Sequence, residues 1–151
     1  MSTESYQDER GIGQIAEDIR FTADLAVQIF QQSPDAIIIV HGETGRIRLV
    51  NDQAEFLTGY HRSELRNQTV DMLVPQERRP RHLEHRTGYM VDPKVRQMGA
   101  NLNLSIQTKS GREVPVDIML APVSTMHGLF VIATLRRREP RNGPSGKPGS
   151  P

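Results

Sequence analysis

His82 and His85 are the side chains of this 151-residue chain whose type and spacing come nearest to chemistry. A neutral imidazole is a good metal ligand. Two of them three residues apart on a helix lie about 60° apart round its axis. Such a pair suits two zinc ligands, but a closed site needs a third and a fourth. The chain has no Cys, and no compact run of Asp, Glu or His provides them. The metallohydrolase helix also spaces its histidines by four, with Glu directly after the first, a pattern that His82-Leu-Glu-His85 does not follow. Nucleophilic hydrolysis has no better footing, because no Gly-x-Ser-x-Gly occurs. Gly11-Ile-Gly13 opens a helix without a strand before it, so it is not a phosphate loop. The missing cysteine also excludes disulfides, iron–sulfur clusters, thiolate nucleophiles and a cysteinyl-flavin adduct. The expectation is a protein that is not an enzyme.

Charge and aromatic content narrow the partners. The net charge is only +1 and there is no Trp, with four Phe and three Tyr, which argues against a nucleic-acid partner. Arg136-Arg137-Arg138, with Arg141 and Lys147, is short enough to read as a solvated end. The longest apolar run, Ala36 to Val40, is too short to span a bilayer. The acidic, polar start is the opposite of a signal peptide, so no membrane association and a cytoplasmic location are expected.

The elements that must position these side chains follow from periodicity. Residues 1 to 10 read as a frayed polar segment. Ile12, Ile15, Ile19, Thr22, Ala26 and Ile29 then recur at alternating spacings of three and four, the seam of an amphipathic helix. It suits packing on its own domain and packing against a second copy equally. Ser33-Pro34-Asp35 stops it. Ala36–Val40 reads as a buried strand, His41–Gly45 as a turn and Arg46–Val50 as the returning strand. Asp52 and Glu55 have the spacing of a capping box, and Gly59 suits the end of that short helix. Ser63–Leu65 and the Val70–Leu73 stretch give two more helical turns, and residues 76–90 a polar helix with a thin apolar face. A helix that polar must cover something besides a large apolar core. Three strands follow: 101–107 by alternation, Val114–Leu120 with Pro115 placing its start at an edge or bulge, and Leu129–Leu135 as a continuous buried run. Beyond Arg138 the Pro, Gly and Ser content predicts disorder. The plan is α+β, an antiparallel sheet with helices over one face.

Several of these residues, in this order, resemble a PAS domain. Ser33-Pro-Asp-Ala-Ile37 resembles the family's opening strand, Val50-Asn-Asp-Gln-Ala-Glu55 its turn into the first helix, and Leu57-Thr-Gly-Tyr60 that helix's end. Ser63-Glu-Leu65, Met72-Leu-Val-Pro75, Arg81-His82 and Lys109-Ser-Gly-Arg-Glu-Val-Pro115 supply the remaining landmarks. The resemblance covers roughly residues 33–136 and is closest to bacterial sensors of the oxygen and redox type. It implies a five-stranded antiparallel sheet with short helices over one face, preceded here by the amphipathic helix. It divides the chain into a polar segment and helix (1–32), the domain (33–138) and a disordered tail (139–151).

The resemblance also sets out the functional alternatives. Family members hold haem, flavin or a metabolite between helices and sheet, or fill that space with side chains, and act as sensors or dimerisation modules in signalling. His82 falls where one oxygen-sensing member carries its haem ligand, inside a similar stretch from Asp71 through Arg79-Pro-Arg-His82. Other haem-binding members use a His after Asp-Pro, and here Asp92-Pro93 is followed by Lys94. A His at this place also occurs in members without haem, and in this chain the plain alternative is a partly exposed helix histidine pairing with Glu84 or Asp71. The cofactor is therefore unknown, with haem and a redox flavin both open. Asn101 and Asn103, alternating with Leu102 and Leu104, are expected to face solvent. The expected partners are a second copy, through Ile12, Ile15, Ile19, Ala26 and Ile29, and a separate signalling protein such as a histidine kinase or transcription regulator. The usual acidic launch of an outgoing helix is replaced by Arg137, and Pro140 blocks a continuing helix, so output is expected through the N-terminal helix, the sheet surface or that partner.

Overall fold

A computed structural model describes residues 3–98 and 104–139, with the side chains of 11–96 and 104–139. The readings made for Asn101, Asn103 and the tail beyond Glu139 lie outside the described residues. The chain separates into two compact units between Ser33 and Pro34.

The first unit is one helix, α1 (Thr3–Gln32). It begins earlier than the apolar seam suggests, and residues 3–10 are helical rather than frayed. Gly11 and Gly13 cost about 1 kcal/mol each against Ala without breaking a helix of this length. Ile12, Ile15, Ile19 and Ile29 are 59–67% exposed on it. Phe21, Leu25 and Val27 are exposed as well, so its apolar surface is broader than one seam.

The second unit runs β1 (Ala36–His41), β2 (Ile47–Val50), α2 (Asp52–Thr58), α3 (Arg62–Leu65), two 3-10 turns (Val70–Leu73 and Gln76–Arg78), α4 (Arg79–Val91), β3 (Arg96–Met98), β4 (Ser105–Gln107), β5 (Glu113–Thr125) and β6 (Gly128–Arg137). Every strand pairing is antiparallel, in the order β2-β1-β6-β5-β3, with β4 also on β5. β3 and β4 share the fifth position. Met98 faces Ile118, so an unbroken ladder would set residue 101 opposite Pro115, yet Ser105 stands there, four residues further on. The sheet therefore has the five places expected, the outer one filled by two short pieces with extra chain between them. β3 has no counterpart in the sequence reading, because Arg96-Gln97-Met98 has no alternation to mark it.

Alternation gives the sheet its core. Ala36, Ile38 and Val40 of β1 and Val116 of β5 point to one face and are almost fully buried with Ile47, Leu65, Leu73 and Ile106. β1 was expected to be buried throughout, but Ile37 and Ile39 are only half-buried, and β6 is likewise half-buried over much of its length. His41 closes β1 rather than lying in the turn, its ring edge-on to Phe130. Pro115 does not mark an edge, since β5 has neighbours on both sides. Its carbonyl accepts from Arg138 N at 2.9 Å just past the end of β6, so the donor that proline lacks falls where that ladder stops.

Asn51 holds the helical layer to the sheet. It is fully buried and caps α2, its Oδ1 accepting from Ala54 N at 3.0 Å and Ile37 N at 2.9 Å. Its Nδ2 donates to the Asp35 carbonyl at 3.0 Å. The cap is thus Asn51, not the Asp52–Glu55 box expected. Asp52 and Glu55 instead both engage Arg62 at the start of α3. The capping box belongs to α3, between His61 and Glu64.

Candidate functional site

Helix α4 starts with Pro at its second position, where the missing N–H costs nothing. Its apolar content is too small to make a core face, and Leu83 is 49% exposed. The stripe it turns inward is His82, Arg86 and Tyr89, at i, i+4 and i+7. Tyr89 is the buried anchor, its hydroxyl donating to the Lys94 carbonyl at 2.8 Å, and burial pushes the phenol above its ordinary pKa. At its other end Arg79 Nε donates to the Val74 carbonyl at 3.0 Å. Near the middle, α4 lies against the β1–β2 turn, where the two glycines admit it. A Cβ on Gly42 would meet Met90, and one on Gly45 would meet the Arg86 guanidinium.

Between α4 and the sheet lies a cavity of about 720 Å³, within the usual range for small-ligand sites. Its walls are Ile38, Val40, Leu73, Ile106, Ile118 and Leu120. His82, His85, Arg78, Arg81, Arg86 and Arg96 border it, against one carboxylate, Glu84. A groove of about 610 Å³ elsewhere on the unit has exposed Phe56 and the bases Lys109, Arg112, Arg136 and Arg137 around it. Lys109 pairs with Glu64 and Arg136 with Asp35, so that groove holds fewer uncommitted groups.

Asp71, in the first 3-10 turn, engages two of the residues that border the cavity. His82 Nδ1 lies 2.6 Å from Asp71 Oδ1, and Arg86 Nη2 donates to Oδ2 at 3.3 Å. A carboxylate only accepts, so Nδ1 carries a proton, and in the neutral ring Nε2 keeps its lone pair. A carboxylate partner on one ring nitrogen is how proteins orient an imidazole to ligate a metal. His82 is 26% exposed, whereas His85 is exposed and makes no such contact among the described residues. Sequence reading singled out His82 but not Arg86, whose Nε is buried without a partner among the described residues. An unmet buried donor costs about 1–3 kcal/mol. Among the described residues no three His, Cys, Asp or Glu side chains gather to hold a metal ion, and no helix is long and apolar enough to cross a membrane.

An antiparallel sheet carries helices over one face, with a lined cavity between them. The chain belongs to the PAS family: a family model described as the PAS fold matches residues 25–138. Domains of this family are in general sensory, non-catalytic parts of signalling proteins. The oxygen sensor protein DosP of Escherichia coli (strain K12) is 29% identical over 106 residues, which are 70% of this chain and 13% of that protein. The chain thus spans about an eighth of that relative. The crystal structure of a PAS domain of an HTR-like protein from Haloarcula marismortui superposes with a TM-score of 0.69 at 18% identity, covering 83% of this chain and 99% of that one. A PAS domain from a two-component sensor histidine kinase gives 0.64 at 14% identity, covering 79% and 98%. At these identities the likeness is one of fold.

Proposed function

We propose that residues 33–138 form a sensory PAS domain that takes a small ligand into the cavity beneath α4 and relays its occupancy through protein contacts. The observation that supports this most is the volume left under α4. The rival, a ligand-free interaction module, needs Leu, Ile and Met side chains to fill that space, and here they line its walls. The relay runs without catalysis, to a separate protein such as a histidine kinase or transcription regulator in the cytoplasm. α1 pairs with a second copy through Ile12, Ile15, Ile19, Ala26 and Ile29, whose exposed apolar surface is otherwise costly. Native mass spectrometry and an absorbance spectrum of freshly purified protein test the reading. A retained small molecule supports it. Protein that carries none, and whose melting temperature no small-molecule panel raises, overturns it.

A second reading, a haem-based gas sensor, has its own supporting observation: the His82 ring on the cavity wall is held through Nδ1 by Asp71 at 2.6 Å. The donor set fits haem, with an imidazole on the cavity wall, apolar surfaces beside it and cations for acidic groups. His82 is the residue proposed to hold the iron and Asp71 the one that orients it. Haem there would supply a centre that binds a diatomic gas. Haemin titrated into the full chain should give a Soret band that His82→Ala abolishes and His85→Ala leaves. Wild-type protein without such a band excludes haem and leaves the first reading standing.

A further inference from the structure

We infer that the groove beside Phe56 docks a short acidic segment of the partner protein. An apolar side chain of that segment packs on Phe56, and its carboxylates pair with Arg112 and Arg137. This names the partner's chemistry at a surface outside the cavity, and its part in signalling rests on the proposed relay. Phe56 is 85% exposed, the most exposed aromatic side chain among the described residues. It lines the groove of about 610 Å³, together with the apolar Ala36, Leu57, Val114 and Leu135. Aromatic and arginine side chains are the usual anchors of a protein interface. Leu135 also borders the cavity under α4, so a segment seated in the groove meets a residue of the ligand's wall.

The charge of the groove decides what fits. Lys109, Arg112, Arg136 and Arg137 line it, and no carboxylate does among the described residues. Two of these bases are spent: Lys109 pairs with Glu64 at 2.8 Å and Arg136 with Asp35 at 3.0 Å. Arg112 and Arg137 are exposed, and their guanidinium groups make no hydrogen bond or ion pair among the described residues. Each keeps its whole fork for a carboxylate. The groove is also fixed before anything enters. Lys109 N donates to the Thr58 carbonyl at 2.9 Å, tying the end of α2 to the β4–β5 turn. Within that turn Thr108 N donates to the Arg112 carbonyl at 2.8 Å, and Arg137 is held at the end of β6 by its pairing with Val116. A site built on held backbone loses little freedom on binding. Nucleic acid suits it less. Two free cations release few counterions, and a strand bound through phosphates leaves the aliphatic part of the groove without a partner.

Fluorescence anisotropy of labelled peptides, titrated with the full chain at fixed salt, tests the groove. The probe is Glu-Asp-Leu-Leu-Asp-Glu. Gln-Asn-Leu-Leu-Asn-Gln lacks its charge, and Glu-Asp-Ser-Ser-Asp-Glu lacks its apolar centre. The probe is expected to bind at least about tenfold more tightly than either control. Arg112→Gln with Arg137→Gln should bring it down to the level of the uncharged peptide, and Phe56→Ser to that of the serine peptide. Both variants change exposed side chains and should melt with the wild type. Arg48→Gln with Arg66→Gln removes the same charge from exposed positions outside the groove and should leave binding unchanged. Equal loss in the two double variants would reduce the attraction to net charge and overturn the docking site. A short oligothymidylate bound more tightly than the probe, through Arg112 and Arg137, overturns it in favour of nucleic acid. A probe that binds no better than its controls overturns the groove and leaves the cavity reading standing. Probe binding by protein that takes up no small molecule keeps the groove and removes only the ligand reading.

Discussion

Asp71 serves two residues of α4 at once, His82 through Oδ1 at 2.6 Å and Arg86 through Oδ2 at 3.3 Å. These bonds tie the 3-10 turn to the helix that roofs the cavity. Asp71→Ala removes the acceptor from two partly buried donors. It should cost about 1–3 kcal/mol, which for a domain of this size lowers the melting temperature by roughly 4–20 °C. His82→Ala should cost less, because Asp71 keeps Arg86. Thermal melts of the two variants check the order, and equal effects would show that Arg86 adds nothing to the tie.

Asn51 should be the most sensitive polar position. Asn51→Ala leaves Ile37 N, Ala54 N and the Asp35 carbonyl without their partner in a fully buried place. Loss of a cap together with buried unmet groups is worth about 2–4 kcal/mol. Urea unfolding should show the drop at unchanged slope. Asp52→Ala, which removes a surface contact with Arg62, should stay within about 1 kcal/mol of wild type.

That contrast also shows what the sequence discloses. Alternation and turn residues were enough for most of the sheet, since Ile38, Val40 and Val116 must share a buried face for the strands to pair. The cap went to the wrong residue because Asn51 and Asp52 are equally good capping types. Only the three-dimensional position of Ile37 and Asp35 decides between them. His82 was visible because imidazole is rare and its neighbours resemble those of known sensors. Arg86 was not: one arginine among several on a polar helix has no mark until Gly45 and Asp71 are brought to it. β3 was missed for the same reason, its pairing being decided by β5.

The ion pair between α2 and α3 gives a pH dependence of known sign. Arg62 hydrogen-bonds Glu55 at 2.7 Å and holds its carboxyl below the ordinary Glu range. A depressed folded-state pKa adds stability above the unfolded value, and that contribution disappears as pH falls through the folded value. Glu55→Gln should therefore be less stable than wild type near neutrality, by about 0.5 kcal/mol for a pair at the surface. The gap should close as pH falls below about 4. Urea midpoints of both proteins from pH 7 to pH 3 measure it, and a constant gap would contradict the assignment.

The proposed self-association through α1 is tested on the intact chain. Ile15→Glu with Ile19→Glu puts two charges on the seam of a helix whose isoleucines are about three-fifths exposed. Light scattering should report a dimer for the wild type and a monomer for the double variant, with the far-ultraviolet spectrum of a folded domain retained. Phe21→Glu, off the seam, should dimerise more weakly than wild type but remain measurable if Ile15 and Ile19 form the centre of the contact. A double variant that stays dimeric would move the interface away from α1.

Gly42 provides the last test, of how α4 is seated on the β1–β2 turn. A Cβ there would stand 2.9 Å from the Leu129 carbonyl oxygen as well as against the end of Met90. Met90 is flexible and can move. The carbonyl cannot, because it accepts from Gly42 N at 2.8 Å and is fixed by that bond. Gly42→Ala should therefore destabilise the domain by about 1–3 kcal/mol, the scale of an overpacked interior. A compensating Met90→Ala should recover little of the loss, since the conflict with the backbone persists. Full recovery in the double variant would mean that Met90 is the obstacle, and that α4 rather than the strand sets the space at the turn.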